Sequence, residues 1–152
     1  MITESLIAYQ TIGEIMVKRV VTVEMDDSLE VVRAIFQKVK FHHLLVVDNE
    51  KLVGVISDRD VLTALSPFVG TMSETSRDLC TLEKRVHQIM SHHPVVIHKS
   101  ATIQEAAERM LKRGVSCLPV TSKKGTILGI VSWKDLMYAF LPASSESDTV
   151  RR

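Results

Sequence analysis

Short apolar runs alternate with amphipathic stretches along the chain, and each kind occurs twice. VVTV (20–23) and PVVI (94–97) are β-branched runs of strand length. After each, apolar residues take up helical spacing, at Leu29, Val32, Ile35, Phe36 and Val39, then at Ile103, Ala106, Met110 and Leu111. Ser28 and Thr102 stand where N-caps belong, and Thr102 with Glu105 forms a capping-box pattern. Gly114 is placed to end the second helix. Two more apolar runs follow in each copy: HLLVVD and KLVGVIS across the turn DNE, then SCLPV and TILGIVS across TSKKG. The segments DRDVLTAL and WKDLMYAF close the copies as helices. Each copy therefore reads β-α-β-β-α.

The copies align residue by residue. Ile15-Met16 matches Ile89-Met90, and the same spacing pairs Val21 with Val95, Leu44 with Leu118 and Val46 with Val120. One extra residue near Gly125 shifts the register, after which Gly54, Ser57 and Asp60 pair with Gly129, Ser132 and Asp135. The expected organisation is an extension over 1–10, repeats over 11–65 and 85–141, a linker over 66–84 and a disordered tail over 142–152. Neither repeat has enough strands to bury its apolar faces alone, so the two should pack sheet to sheet. The expected fold class is α/β (α+β), with the repeats related by a pseudo-two-fold axis.

Composition narrows the function. With 45% hydrophobic and 24% charged residues the chain is globular. A formal charge of +1 leaves no electrostatic footprint for nucleic acid. No apolar run approaches a membrane span, and MITESLIAYQ lacks the basic start and apolar core of a signal peptide. Cys80 and Cys117 form no C-x-x-C pair, which suits a reducing, cytoplasmic setting, and Cys117 lies in an apolar run as a buried, inert thiol would. His92, His93 and His98 invite a metal reading. Adjacent histidines on a strand point to opposite faces, however, and no cysteine or acidic cluster completes a set, so no metal is expected. His92 and His93 are expected in the turn before PVVI, within reach of a phosphate. No nucleophile elbow, P-loop or Cys-His pattern appears, so no catalytic residue is assigned. Met16 and Met90 read as core plugs.

GVISDRD (54–60) and GIVSWKD (129–135) share the phrase Gly-x-x-Ser-x-x-Asp. Read locally, Ser with an acidic residue three positions on resembles a capping box, although Glu or Gln is the usual partner. Read outwardly, a hydroxyl and a carboxylate offer groups to a ligand. The doubled phrase, in the same strand–helix context and preceded by LLVVD and LPVTS, resembles the cystathionine β-synthase (CBS) domain, which usually occurs in tandem pairs. The resemblance covers about residues 11–141 and implies a stand-alone CBS pair that binds AMP, ADP, ATP or S-adenosylmethionine.

By that resemblance, Asp60 and Asp135 accept hydrogen bonds from ribose hydroxyls, and Ser57 and Ser132 reach a phosphate. An ionised carboxylate can grip two vicinal hydroxyls, and the amides of a helix start favour an anion. Arg59 and Lys134 either add charge there or are solvated cations. The resemblance further implies two unlike pockets in the cleft between repeats. Ser132 and Asp135 would face Val21, Thr22, Phe41, His42 and His43, whereas Ser57 and Asp60 would face Val95, Val96, Val115 and Ser116. The histidines are either phosphate ligands or ordinary strand-edge residues, and their alternating directions let only one enter a cleft. On this expectation the Asp135 pocket is the better phosphate site, because GVISDRD faces only Ser116 and Cys117. The implied function is regulatory and not enzymatic: a homodimeric sensor passing ligand occupancy to a partner protein. The alternative is an interaction module whose cleft stays empty.

Overall fold

In the computed structural model, which describes residues 10–141, the most apolar run of the first repeat forms the middle of a sheet. This strand, β2 (His43–Asp48), has Leu44, Leu45 and Val46 fully buried. It runs parallel to β1 (Thr22–Glu24) and antiparallel to β3 (Lys51–Ser57). The β2–β3 turn is the pair Asn49-Glu50, both at positive φ (49° and 66°), the left-handed geometry that two-residue hairpin turns require. Between β1 and β2 lies α2 (Leu29–Lys38), the helix that follows a short α1 (Ile12–Ile15) in the chain. Ser28 caps α2, with its Oγ accepting the Val31 N–H, and the helix buries Leu29 and Val32 against Val23, Leu44, Val46 and Ile56. The next helix, α3 (Asp58–Ala64), starts directly after β3 and adds Val61 to that core.

The segment expected as a linker is held in place. It contains α4 (Ser76–Cys80) and a 3₁₀ turn over Thr81–Glu83. Asp78 gathers it: Ser66 Oγ donates to its Oδ1 at 2.6 Å and Thr75 Oγ1 to its Oδ2 at 2.7 Å. A second 3₁₀ turn, Val86–Gln88, buries Val86, and a short strand β4 (Ser91–His92) pairs antiparallel with β3, Gly54 opposite His92. The expectation had placed His92 in a turn; pairing with β3 makes it a strand residue, and the turn begins at His93, whose φ is 53°.

Two compact units result, and they cut across the sequence repeats. One is built on Arg19–Val95, so it includes the approach to the second repeat; the other is built on residues 10–18, Val96–Ser122 and 128–141. In the latter, β5 (Ile97–His98) lies parallel to β6 (Cys117–Thr121), and β7 (Ile127–Ser132) is the other neighbour of β6. α5 (Ile103–Arg113) begins with the Thr102–Glu105 capping box and ends at Gly114 with φ 64°, both as the sequence predicts. α6 (Trp133–Ala139) follows β7. The approach to the first repeat completes this unit: Ile12 N–H donates to Ala101 O at 2.8 Å, and Val17 and Ile130 exchange backbone hydrogen bonds of 2.9 and 3.0 Å. The strand expected over PVVI shrinks to Ile97–His98. Pro94 has no N–H for a ladder, and the Val96 carbonyl accepts from Arg109 Nη1 at 2.7 Å instead. The expected extension and tail fall mostly on residues 1–9 and 142–152, outside the described residues.

Gly54 and Gly129 let the approach segments lie against β3 and β7. A Cβ on Gly54 would sit 2.6 Å from Met90 Sδ and 2.9 Å from the Ser91 carbonyl oxygen; one on Gly129 would sit 2.7 Å from the Val17 carbonyl oxygen and 2.9 Å from Met16 Sδ. Met90 is buried, as a core plug should be. Because backbone oxygens stand in the way, neither contact relaxes by side-chain motion alone. Gly54→Ala and Gly129→Ala should each lower stability by about 1–3 kcal/mol, as overpacking does, read as a lower urea midpoint. Gly125→Ala has open space but a φ of 84°, so its loss should come from backbone conformation instead.

Candidate functional site

The hairpin and the helix that leaves it build each Gly-x-x-Ser-x-x-Asp motif. In the first, Ser57 ends β3 with extended backbone and caps α3. Its Oγ accepts the Asp60 N–H at 3.0 Å, and its N–H donates to Asp60 Oδ2 at 2.8 Å. In the second, Ser132 N–H donates to Asp135 Oδ2 at 2.7 Å, and Ser132 Oγ donates to the same oxygen at 3.0 Å. Both phrases are thus reciprocal helix caps with Asp in the place usually taken by Glu. Each cap engages Oδ2 and leaves Oδ1 outside it. All four side chains are only half-buried, so a carboxylate oxygen and a serine hydroxyl remain near solvent at the head of each helix.

The residues that precede each hairpin border the motif of their own repeat. His43 is the β2 partner of Ser57, and the Asp58 N–H donates to the His42 carbonyl at 3.0 Å. His42 Nδ1 lies 2.8 Å from Asp58 Oδ2. In the second repeat the Trp133 N–H donates to the Ser116 carbonyl at 3.1 Å. The antiparallel register of β2 and β3 brings His42 and His43 beside Ser57 and Asp60 of their own repeat. Asp58 was missed altogether. Its signal is its position, since the residue after the motif serine starts the helix opposite the end of β2.

The other expected site residues divide between the units. Val21, Thr22, Phe41, Arg59 and Val95 belong to the unit of the first motif, with Val96, Val115 and Lys134 in that of the second. Val21 O accepts the Leu45 N–H at 3.3 Å, so the edge of β1 reaches it. Arg59 and Lys134 are exposed, and Lys134 Nζ sits 5.9 Å from the centroid of the Trp133 ring. His92 and His93 line a concavity of about 520 Å³ with His87, Leu52 and Met90, near the start of β3 and away from Ser57 at its end. His92 Nε2 is 3.1 Å from the His87 carbonyl. Among the described residues no three His, Cys, Asp or Glu side chains converge to hold a metal ion. No described helix is long and apolar enough to cross a membrane. Both cysteines are free; Cys117 is buried, which pushes its thiol pKa up to about 12 and makes it inert.

Electrostatics distinguish the two histidines' surroundings. Burial lowers the pKa of His43, only partly opposed by the carboxylates of Asp58 and Asp60. Burial works to raise Asp58, but the hydrogen bonds from His42 and the Arg59 N–H override it and the pKa falls. A lowered His43 pKa in the fold means that the unfolded chain takes up the proton first as pH drops. Stability should therefore be complete above the unfolded imidazole pKa of about 6.5 and decline below it. Asp58 should add a further loss only below the ordinary carboxylate range. Urea midpoints measured from pH 8 to pH 5 should fall for the natural chain and fall less steeply for His43→Gln; equal slopes would contradict a desolvated imidazole.

Comparison with known proteins places this geometry. The CBS domain profile matches residues 12–67 and 86–142. A CBS domain-containing protein of Dictyostelium discoideum is 36% identical over 128 residues, which are 83% of this chain and 88% of that one. The solved CBS domain pair of protein MJ0100, in complex with 5′-methylthioadenosine and S-adenosyl-L-methionine, matches with a TM-score of 0.72 at 25% identity, over 87% of this chain and 96% of that one. The structure of CBSX2 in complex with AMP matches with a TM-score of 0.68 at 25% identity, over 93% and 98%. With two matched repeats, two capped Ser-x-x-Asp motifs and a mixed α+β fold shared with solved CBS pairs, this chain belongs to the CBS domain family.

Proposed function

We propose that the chain is a regulatory module that binds an adenosine-containing ligand through its two Ser-x-x-Asp motifs and passes the occupancy to a partner protein. The observation that carries this reading is the geometry of the caps: Asp60 and Asp135 are each oriented by a backbone N–H on Oδ2, while Oδ1 remains outside the cap. A carboxylate so fixed is preorganised to accept ribose hydroxyls without losing side-chain freedom on binding. The AMP, S-adenosylmethionine and methylthioadenosine in the similar structures support an adenosine ligand. Val21, Thr22, Phe41, His42, His43, Val95, Val96, Val115 and Ser116 would supply the remaining contacts, with Arg59 and Lys134 near the phosphate end. Ligand that favours one arrangement of the module shifts its population, and a partner reads that shift. No residue is assigned a catalytic role, and the two free cysteines fit a reducing, cytoplasmic setting.

A second observation favours self-association. α6 and the residues after it expose Trp133, Met137, Phe140 and Leu141, an apolar stripe at helical spacing. A homodimer joined along this face would cover it. Sedimentation equilibrium should give twice the chain mass, and Met137→Glu should return a monomer without loss of helix content.

Isothermal titration with AMP, ATP and S-adenosylmethionine tests the ligand reading. Binding by at least one is expected, and Asp135→Ala should weaken AMP by about tenfold or more, the cost of losing charge-assisted hydrogen bonds. Asp60→Ala should weaken it less. No heat and no thermal shift with any adenosine ligand would leave the interaction module as the better reading.

A further inference from the structure

The two motifs share a frame and differ in charge. Each has a serine ending a strand, an aspartate three residues on, and a backbone N–H tied to the carbonyl that precedes its hairpin. Ser57 is followed by Asp58 and Arg59, Ser132 by Trp133 and Lys134. The Asp58 carboxylate is fixed beside the motif serine by both its oxygens. Oδ2 lies 2.8 Å from His42 Nδ1, and Oδ1 accepts the Arg59 N–H at 2.8 Å. Trp133, at the matching position, puts an uncharged indole there, and the neighbouring ammonium of Lys134 stays 5.9 Å from its centroid. The first motif therefore presents two carboxylates, one of them held by the His42 imidazole, and the exposed guanidinium of Arg59, whereas the second presents one carboxylate and one ammonium.

We infer that Asp58 is a specificity-determining residue, making the Ser57–Asp60 motif discriminate against phosphorylated adenosine ligands and favour adenosine thioethers or sulfoniums, while the Ser132–Asp135 motif accepts a phosphate. This rests on the proposed function, together with the role the family resemblance implies for each motif serine, at the phosphate end of the ligand. A phosphate at the Ser57 hydroxyl approaches a carboxylate that cannot swing away. Like charges roughly 6–8 Å apart at an effective dielectric constant of about 40–80 weaken binding by about three- to tenfold. A thioether has no charge to repel, and a sulfonium is attracted.

Calorimetry at pH 8, above the ordinary imidazole range, with AMP and 5′-methylthioadenosine as probes separates the possibilities. In an Asp135→Ala background, which isolates the first motif, Asp58→Asn should raise AMP affinity by about three- to tenfold and leave 5′-methylthioadenosine unchanged. The reverse exchange, Trp133→Asp in an Asp60→Ala background, should lower AMP affinity by a similar factor; Trp133 is exposed, so this variant should fold. Unchanged AMP affinity in both exchanges, equal shifts for the two probes, or no 5′-methylthioadenosine binding in the Asp135→Ala background would overturn the inference. If the natural chain binds neither probe, the proposed function falls with it. Binding that ignores residue 58 overturns only the discrimination.

Discussion

A polypeptide backbone can approach the face of a strand this closely only at a residue that carries no side chain. Gly54 and Gly129 meet this condition, with the backbone oxygens of Ser91 and Val17 inside the space a Cβ would need. Much of the architecture follows from these two approaches. Met90 and Ser91 settle on β3, so β4 can join the first sheet, and Met16 and Val17 settle on β7. Each unit is thereby completed by the segment that leads into the other repeat, and neither repeat's sequence is sufficient for the unit that bears its motif.

The same glycines open the motifs on which the proposed function rests. Three residues after each glycine the strand ends at a serine, and the chain turns into a short helix whose first turn supplies the aspartate. Helix capping and the proposed ligand binding would use different atoms of that aspartate. The cap holds Oδ2, and a ribose would take Oδ1, so the interaction that starts the helix also orients the proposed ligand group. Replacing Asp by the more usual Glu would keep the cap and displace the oxygen outside it by one methylene. That is a physical reason for the motif to use the shorter acid.

Much of this was legible in the residue pattern. The helical spacing after Ser28 and Thr102, the capping boxes, the Gly114 stop and the two hairpins follow from short-range rules, and the structure contains each of them. The misreadings occur where a distant residue competes for a backbone group. PVVI has strand composition, yet Arg109 takes the Val96 carbonyl from a helix away in sequence. His92 sits among turn-forming residues, yet β3 offers it a partner. That His42 and His43 border Ser57 is a matter of hairpin register, set by pairing between two strands.

By itself, then, the sequence determined the repeated β-α-β-β-α plan, the position of both motifs and their family, because all three are encoded in local spacing that repeats along the chain. Only the tertiary structure decided which approach segment completes which unit and that Asp58 is clasped by His42. Those outcomes depend on contacts between residues far apart in sequence. Such contacts are selected by close packing and hydrogen-bond register, and no local pattern specifies them.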